Sequence, residues 1–159
     1  MIMVDKKLIL QNLIDNLRHE LTELEAAANS ARAEAIQDDY KAESKYDTRA
    51  IEASYLAGAQ QKRVEEIKID IQMLEEIEIK PSLKIQMGSL VLIEFNNQAR
   101  LYFLTSTSGG TMLTIDDQLI LVISVFSPLG NEALGLSAGE SFEVETPKAM
   151  RTYKILNVY

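Results

Sequence analysis

The sequence predicts an α+β protein in which an antiparallel coiled-coil helical hairpin precedes a domain with an antiparallel sheet and one short helix. Three observations predict this architecture. The amino-acid composition changes near Pro81, two heptad-spaced apolar seams run through the first half, and short apolar runs alternate with turn residues through the second half. Each half is therefore expected to bury its own apolar surface.

The change in composition places the boundary between the two predicted domains near residue 80. Residues 1–80 carry 11 basic and 17 acidic side chains, whereas residues 81–159 carry 5 and 7. The first half has one glycine, Gly58, and no proline, while the other glycines and all three prolines lie in the second half. Because glycine and proline interrupt helices, this distribution predicts a helical hairpin over residues 1–80 and a globular domain over residues 81–159.

Both predicted helices carry an apolar or small residue at alternating steps of three and four, which is the spacing of a coiled-coil seam. Leucine and isoleucine occupy one end of each seam and alanine the other, and this order is reversed between the helices. Antiparallel pairing therefore matches large residues with large and small with small, and it places the tip of the hairpin at about residues 36–48. The first seam contains Leu10, Ile14, Leu17, Leu21, Leu24, Ala28, Ala31 and Ala35, and the second contains Ala50, Ala53, Ala57, Gln60, Val64, Ile67, Ile71 and Leu74.

Two single residues add local expectations to this hairpin. Asp5 is predicted to cap the first helix, and Gly58 is predicted to let the two helices approach closely, with a kink in its own helix as the alternative. A heptad seam also joins helices of two copies of a chain, so a homodimeric structural coiled coil is the alternative to a hairpin. Light scattering separates the two, because the hairpin predicts a monomer that is elongated for its mass.

The second half has the apolar runs and turn residues of a β-rich domain. The turn Asn96-Asn97-Gln98 joins the first two predicted strands. Between the fourth and fifth strands, Ser127 and Pro128 have the order of a helix cap and a first helical residue, and Gly135 provides a stop. The predicted strands cover residues 89–95, 101–104, 111–115, 119–126, 141–145 and 151–158.

The charge and the residue types exclude several classes of function. The chain has 24 Asp and Glu against 16 Lys and Arg, a formal net charge of -8, so non-specific nucleic-acid binding by the whole chain is disfavoured. The absence of cysteine excludes disulfides and thiolate metal sites, and the single histidine, His19, excludes an all-imidazole metal site. No apolar stretch reaches the roughly 18 residues of a membrane span, and Asp5, Lys6 and Lys7 interrupt the apolar start, so a cytoplasmic protein is expected.

The predicted hairpin tip concentrates four carboxylates, Asp38, Asp39, Glu43 and Asp47. Asp39, Glu43 and Asp47 are spaced four residues apart, so they lie on one face if the segment is helical. A divalent cation bound there would relieve the repulsion between their carboxylates. Mg²⁺ prefers carboxylate oxygens and keeps several waters, so these residues are candidate ligands of an ion held mainly elsewhere. An ordinary solvated loop is the alternative. Tyr46 beside them is a candidate interface residue or a lid over the alanine-rich helices.

A series of short motifs runs through the second half in a fixed order. The series contains Met87-Gly88-Ser89, Ile123-Ser124, Ser127-Pro128-Leu129, Ala133-Leu134-Gly135, Ala138-Gly139-Glu140, Val144-Glu145-Thr146-Pro147 and Arg151-Thr152-Tyr153-Lys154-Ile155-Leu156. In this order and spacing the motifs resemble the FKBP-like carboxy-terminal domain of the bacterial Gre transcription elongation factors, the GreA/GreB family. The family also has an amino-terminal coiled-coil hairpin, so the resemblance covers nearly the whole chain.

The resemblance implies a transcription elongation factor that binds RNA polymerase. Members of the family dock the globular domain at the mouth of the polymerase secondary channel and insert the coiled coil, so that tip carboxylates reach the active site. There they help to hold a second Mg²⁺ and stimulate the polymerase's own cleavage of backtracked RNA. The resemblance thus implies an accessory factor that binds no cofactor alone, does not associate with membranes and contacts DNA and RNA only within the transcription complex.

At the tip the sequence departs from the family pattern, in which an aspartate and a glutamate stand three apart. Alignment from the glutamine pair at 60–61 places Asp47 at the aspartate position and an alanine at the glutamate position. Asp47 and Glu43 are therefore the acids expected to act in the polymerase and to share its Mg²⁺, with Asp39 and Asp38 as substitutes. The alternative is a regulator that occupies the channel without cleavage, as inhibitory Gre homologues and DksA-type regulators do.

Docking on polymerase is expected to use residues around the predicted short helix. Ser127, Pro128, Leu129 and Glu132 are the candidates, although an apolar side chain there is more often part of the core. An FKBP-like fold also suggests a peptidyl-prolyl isomerase or chaperone-like domain. Such isomerases use an aromatic-lined cavity, whereas this half has no tryptophan and few aromatic residues, and a shared fold does not confer an activity.

Overall fold

Two long helices form the first half of the chain in the computed structural model, which describes residues 2–39 and 48–159. Helix α1 covers Lys6–Asp39 and helix α2 covers Thr48–Glu75. The backbone N–H of Lys7 donates a hydrogen bond to Asp5 Oδ1 at 2.9 Å, which satisfies one of the free amides of the first turn. The predicted cap of α1 is therefore confirmed.

The predicted seams form much of the buried surface of these two helices, although Ile9 and Leu13 of α1 are buried outside the first seam. Ile14 on α1 and Val64, Ile67 and Leu74 on α2 are buried, and the seam leucines of α1 are half-buried. Towards the predicted tip the seam becomes exposed at Ala31 and Ala57. Burial therefore declines as the seam side chains become smaller, because alanine offers little apolar area to cover.

Two ion pairs join α1 to α2 in the pattern of an antiparallel coiled coil. Arg63 Nη2 lies 2.9 Å from Glu20 Oε1, and Lys68 Nζ lies 4.0 Å from Glu25 Oε1. Glu20 and Arg63 each precede a seam residue, and Glu25 and Lys68 each follow one. In an antiparallel coiled coil, a residue that precedes a seam position faces another residue that precedes one, and a residue that follows faces another that follows. In a parallel coiled coil, a residue that precedes a seam position faces one that follows a seam position. The helical hairpin predicted from the sequence is confirmed.

The expectation for Gly58 is wrong. A Cβ atom built on this residue meets no atom within 4 Å, apart from its chain neighbours and the adjacent turns of its own helix. Among the described residues, none of another helix approaches closely enough to require a glycine here, and Gly58 is exposed within α2.

A six-stranded sheet and a short helix form the second half. The strand order in the sheet is β3-β4-β2-β1-β6-β5. Helix α3 covers Pro128–Ala133, between the fourth and fifth strands. The strands are β1 Leu90–Phe95, β2 Gln98–Thr105, β3 Met112–Ile115, β4 Gln118–Ser124, β5 Ser141–Glu145 and β6 Met150–Val158.

Two tight hairpin turns connect neighbouring strands where the sequence places paired polar residues. Asn96 and Asn97 join β1 to β2 and have φ angles of 51° and 61°. Asp116 and Asp117 join β3 to β4 with φ angles of 49° and 60°. Two consecutive left-handed residues match the right-handed twist of the flanking strands, and asparagine and aspartate tolerate that conformation.

The sheet is mixed, because β4 lies parallel to β2. After β2 the chain forms the edge strand β3 and turns back, so β4 returns between β3 and β2 in the direction of β2. The expectation of an antiparallel sheet holds for every other strand pairing in the described sheet. The α+β architecture of a hairpin and a sheet domain with one short helix agrees with the prediction.

Helix α3 covers one face of the sheet. Its buried Ala133 and half-buried Leu129 belong to an apolar cluster with residues from β1, β2, β5 and β6. The cluster members on these strands alternate along each strand, as expected when one face of a sheet is packed. They are Val91, Ile93, Tyr102, Leu104, Phe142, Val144, Tyr153 and Ile155.

The chain forms two compact units. Met1–Leu13 and Met73–Tyr159 make up the first unit, and Ile14–Gln72 makes up the second. These units follow the packing of the backbone, whereas the predicted boundary near residue 80 follows the composition, so that boundary stays a prediction. Among the described helices, none has an apolar stretch long enough to cross a bilayer.

Candidate functional site

The predicted tip acids fall at the end of the described part of α1 or beyond it. Asp38 and Asp39 are the last two residues of α1, and only their backbone is described. Glu43, Tyr46 and Asp47 lie outside the described residues. Their roles as channel-inserted acids, Mg²⁺ ligands or interface residues therefore stay predictions. Within the described ranges 2–39 and 48–159, no group of three acidic or histidine side chains could hold a metal ion.

The loop before α3 is built around one backbone carbonyl. Ser127 Oγ donates a hydrogen bond to the carbonyl O of Ser124 at 2.6 Å and accepts one from the Gly130 N–H at 3.1 Å. The hydroxyl thus satisfies a free amide in the first turn of α3, while Pro128 occupies a position where no amide hydrogen is needed. Ser127 therefore acts as a helix cap, and its side chain is engaged within the loop.

The Ser124 carbonyl also leaves no room for a side chain at position 130, which is a glycine. A Cβ atom at this position would stand 2.0 Å from the Ser124 carbonyl oxygen, which is far inside van der Waals contact. The turn from β4 into α3 closes this tightly because position 130 has no side chain. The close approach fixes the direction in which α3 starts.

The loop presents an apolar surface to solvent. Phe126 is 77% exposed, and Pro128 is also exposed. Glu132 on α3 is exposed, whereas Leu129 points into the apolar cluster under the helix. Of the four docking residues predicted around α3, Pro128 and Glu132 are thus available to a partner, Ser127 is engaged as a cap, and Leu129 belongs mainly to the core.

Phe126 is the residue that the sequence reasoning missed. The apolar run predicts a strand over residues 119–126 that includes Phe126, but β4 ends at Ser124. The backbone N–H of Phe126 donates to Ser124 Oγ at 3.1 Å, so the chain has already left the strand. The signal available in the sequence was the serine at 124, which provides a local acceptor that competes with the ladder.

A second concave site lies on the sheet itself. It is a cavity of about 350 Å³ at the end of β1 and the beginning of β2 and β6. Burial raises the pKa of Tyr102 in its wall above the ordinary value, and the nearby Arg100 acts in the opposite direction. The sequence alone does not predict this cavity, because its lining residues come from three strands and a turn. The lining residues are Phe95, Asn96, Gln98, Arg100, Tyr102, Arg151 and Tyr153.

The second half of the chain matches a known protein family. The family described as "Transcription elongation factor, GreA/GreB, C-term" matches residues 80–159. This match covers half of the chain, and the fold provides the helical hairpin and the sheet domain that the resemblance implied. The chain belongs to the GreA/GreB family of transcription elongation factors.

Several solved structures are similar to the chain, although no curated protein matches it significantly. GreA factor homolog 1 (Gfh1) of Thermus thermophilus is 19% identical, with 92% of this chain and 94% of that chain covered and a TM-score of 0.39. Gfh1 of Thermus aquaticus is 19% identical, with coverages of 91% and 92% and a TM-score of 0.40. The GreA/GreB elongation factor of Nitrosomonas europaea is 25% identical, with coverages of 53% and 64% and a TM-score of 0.36.

Proposed function

We propose that the protein binds RNA polymerase, inserts its helical hairpin into the secondary channel and modulates elongation. It acts as a monomeric accessory factor in the cytoplasm, not as an enzyme, and it contacts nucleic acid only through the transcription complex. Membership of the GreA/GreB family supports the partner. The single observation that carries the docking mode is the exposed pair Phe126 and Pro128 at the start of α3, within the part of the chain that matches the family.

The α3 loop has the properties of a protein docking surface. Phe126 and Pro128 expose apolar area, and aromatic side chains of this kind contribute much of the binding energy when a partner buries them. The loop is held by the Ser127 cap and by the close approach at Gly130, so little conformational entropy is lost on binding. Glu132 on the next turn adds a carboxylate at the rim, where it favours a basic partner surface.

The carboxylates at the tip of the hairpin are proposed to act in the polymerase active site. Asp38, Asp39, Glu43 and Asp47 lie within ten residues of sequence, the first two at the end of α1 and the others between the two helices. Alone, such a cluster binds Mg²⁺ weakly, because the ion keeps much of its hydration shell. In the polymerase active site, Asp47 and Glu43 would share an ion that the polymerase already holds and would help to stabilise the attacking and leaving oxygens of a phosphodiester.

A transcript-cleavage assay tests this role of the tip. A stalled, backtracked elongation complex is incubated in Mg²⁺ with the wild-type protein, with the Glu43→Ala, Asp47→Ala double variant and with the Glu143→Ala, Glu145→Ala double variant. The last variant is the matched control, because it removes two exposed carboxylates from β5, far from the tip in sequence. The expected result is RNA cleavage that the control retains and the tip variant loses.

The other outcomes separate the alternatives. Polymerase binding without any cleavage would assign the protein to the channel-occupying regulators, with the tip acids competing for the active-site metal or for substrate entry. RNA cleavage by the free protein, in the absence of polymerase, would contradict an accessory role and with it the proposed function.

A further inference from the structure

The cavity at the end of β1 and the beginning of β2 and β6 contains the two charged side chains on one face of the sheet. Strand alternation places Arg100 and Arg151 on the face that α3 covers, together with the buried Tyr102 and Tyr153. All other residues on that face of the described strands are uncharged, whereas the acidic residues of β1 and β5 point to the opposite face. The cavity is therefore a local positive site in a chain whose formal net charge is -8.

Neither guanidinium is neutralised by a carboxylate. Among the described residues, Arg100 and Arg151 make no ion pair, although the described helices contain several pairs between other side chains. An arginine presents a planar array of donors that matches phosphate or carboxylate oxygens, and two of them around one cavity can bind the same anion from two sides. The charge of the cavity thus favours an anionic ligand.

The rings of Phe95 and Tyr153 line the cavity and form its aromatic floor, and Phe95 positions one of the arginines. The ring of Phe95 stacks on Tyr153 at a centroid distance of 4.9 Å, and Tyr153 stacks on Phe142 at 5.4 Å. The Arg151 guanidinium lies over the Phe95 ring, 5.3 Å from its centroid. This cation–π contact holds Arg151 at the cavity, and the edges of the lining rings can contact a planar group of a ligand.

The remaining lining groups can form hydrogen bonds with a heteroaromatic ring. The side-chain amides of Asn96 and Gln98 each offer donors and an acceptor, as the edge of a nucleobase does. Burial raises the pKa of Tyr102, so its hydroxyl stays protonated at neutral pH and does not repel an anion. The described lining contains no acidic side chain.

We propose that this cavity binds a nucleoside phosphate, with the base against the aromatic floor and the amides and the phosphate on Arg100 and Arg151. A volume of about 350 Å³ lies at the lower end of the range for small-ligand sites and suits a single nucleotide. A free mononucleotide and the terminal nucleotide of an RNA strand offer the same chemistry. The proposal does not depend on polymerase binding, because the cavity is complete within the described sheet domain.

Binding is measured by titrating the full-length, isotope-labelled protein in an NMR experiment. The probes are guanosine monophosphate, adenosine monophosphate, guanosine, inorganic phosphate and a short oligoribonucleotide with a terminal phosphate. The expected result is saturable shifts of the β1, β2 and β6 amides with the mononucleotides, and affinity about tenfold weaker for guanosine and for phosphate alone, since each lacks half of the contacts. Tighter binding of the oligoribonucleotide would identify RNA as the source of the ligand.

Two variants make the assignment falsifiable. Arg100→Gln with Arg151→Gln removes both guanidiniums from the cavity, and Lys154→Gln removes an exposed positive charge from the opposite face of the same strand. The double variant is expected to weaken mononucleotide binding at least about tenfold, while the Lys154 variant binds like the wild type. All three residues are exposed, so the fold is expected to survive, and thermal unfolding checks this.

Several results would overturn the proposal. One is the absence of saturable shifts at millimolar mononucleotide, and another is an equal loss of binding in the Lys154 variant, which would indicate unspecific attraction of phosphate. Clear isomerisation of a proline peptide, with shifts of the same amides by that peptide and none by nucleotides, would assign the cavity to a peptide instead.

Discussion

Arg63 on α2 and Glu20 on α1 form an ion pair between the two helices, with Nη2 and Nε both donating to Glu20 Oε1 at 2.9 and 3.0 Å. The two side chains are 43 residues apart in sequence and are both about two-fifths exposed. Because both precede a seam residue, the pair is compatible with only one relative direction of the helices. It therefore contributes to the register of the hairpin more than to its stability, since exposed pairs stabilise little.

A double-mutant cycle tests the Arg63–Glu20 pair. Glu20→Ala and Arg63→Ala are expected to show a coupling of about 0.5 kcal/mol in the free energy of unfolding, and the coupling should decrease as salt is added. Chemical denaturation of the two single variants, the double variant and the wild type gives this value. A cycle between Glu20 and the neighbouring, exposed Lys62 is the control and should show no coupling. Equal coupling in both cycles would contradict a specific pair.

The same substitution at two glycines is expected to have opposite effects. At Gly130 a methyl group would meet the Ser124 carbonyl oxygen at 2.0 Å, so Gly130→Ala should lower the free energy of unfolding by about 2 kcal/mol. At Gly58 a methyl group meets open space in the middle of a helix, so Gly58→Ala should raise it by up to about 1 kcal/mol. Denaturant unfolding measures both changes. Destabilisation by Gly58→Ala would show that a partner element packs against this position.

Alkaline pH is expected to destabilise the sheet domain through Tyr102. Burial raises the pKa of this phenol in the folded state, whereas the unfolded chain ionises it at the ordinary value of about 10. Its contribution to stability is therefore fully present below about pH 10 and is lost as the pH rises through the folded-state pKa. Unfolding of the wild type and of Tyr102→Phe, measured at about pH 8 and about pH 11, should show a smaller loss in the variant. Parallel losses in the two proteins would assign the alkaline effect to other groups.

Local patterns predicted the helical hairpin and much of the sheet domain. The three-four spacing of Ile14 to Leu24 and of Gln60 to Leu74 identifies a buried seam, because that spacing keeps side chains on one face whatever the surroundings. The Asn96-Asn97 turn and the Ser127 cap are also local, since each depends on the conformations that its own side chain favours. These features could be predicted without knowing which strands are neighbours.

The candidate sites were harder to predict because they depend on contacts between distant parts of the chain. The parallel pairing of β2 with β4 depends on where the chain returns after β3, which no short motif encodes. The cavity combines Arg100 and Arg151, which are 51 residues apart in sequence and lie on strands either side of β1. The exposure of Phe126 depends on β4 ending at Ser124, and a short apolar run does not define its own last residue.

Docking on RNA polymerase through the α3 loop is tested most directly by equilibrium binding of the labelled full-length protein to core RNA polymerase. The wild type is expected to bind saturably, and Phe126→Ser is expected to bind at least about tenfold more weakly because it removes an exposed aromatic ring from the docking surface. Met112→Ser, which removes a 63% exposed apolar side chain from β3, is the control and should bind like the wild type. Absence of polymerase binding by the wild type, or equal binding by all three proteins, would contradict the proposed docking at α3.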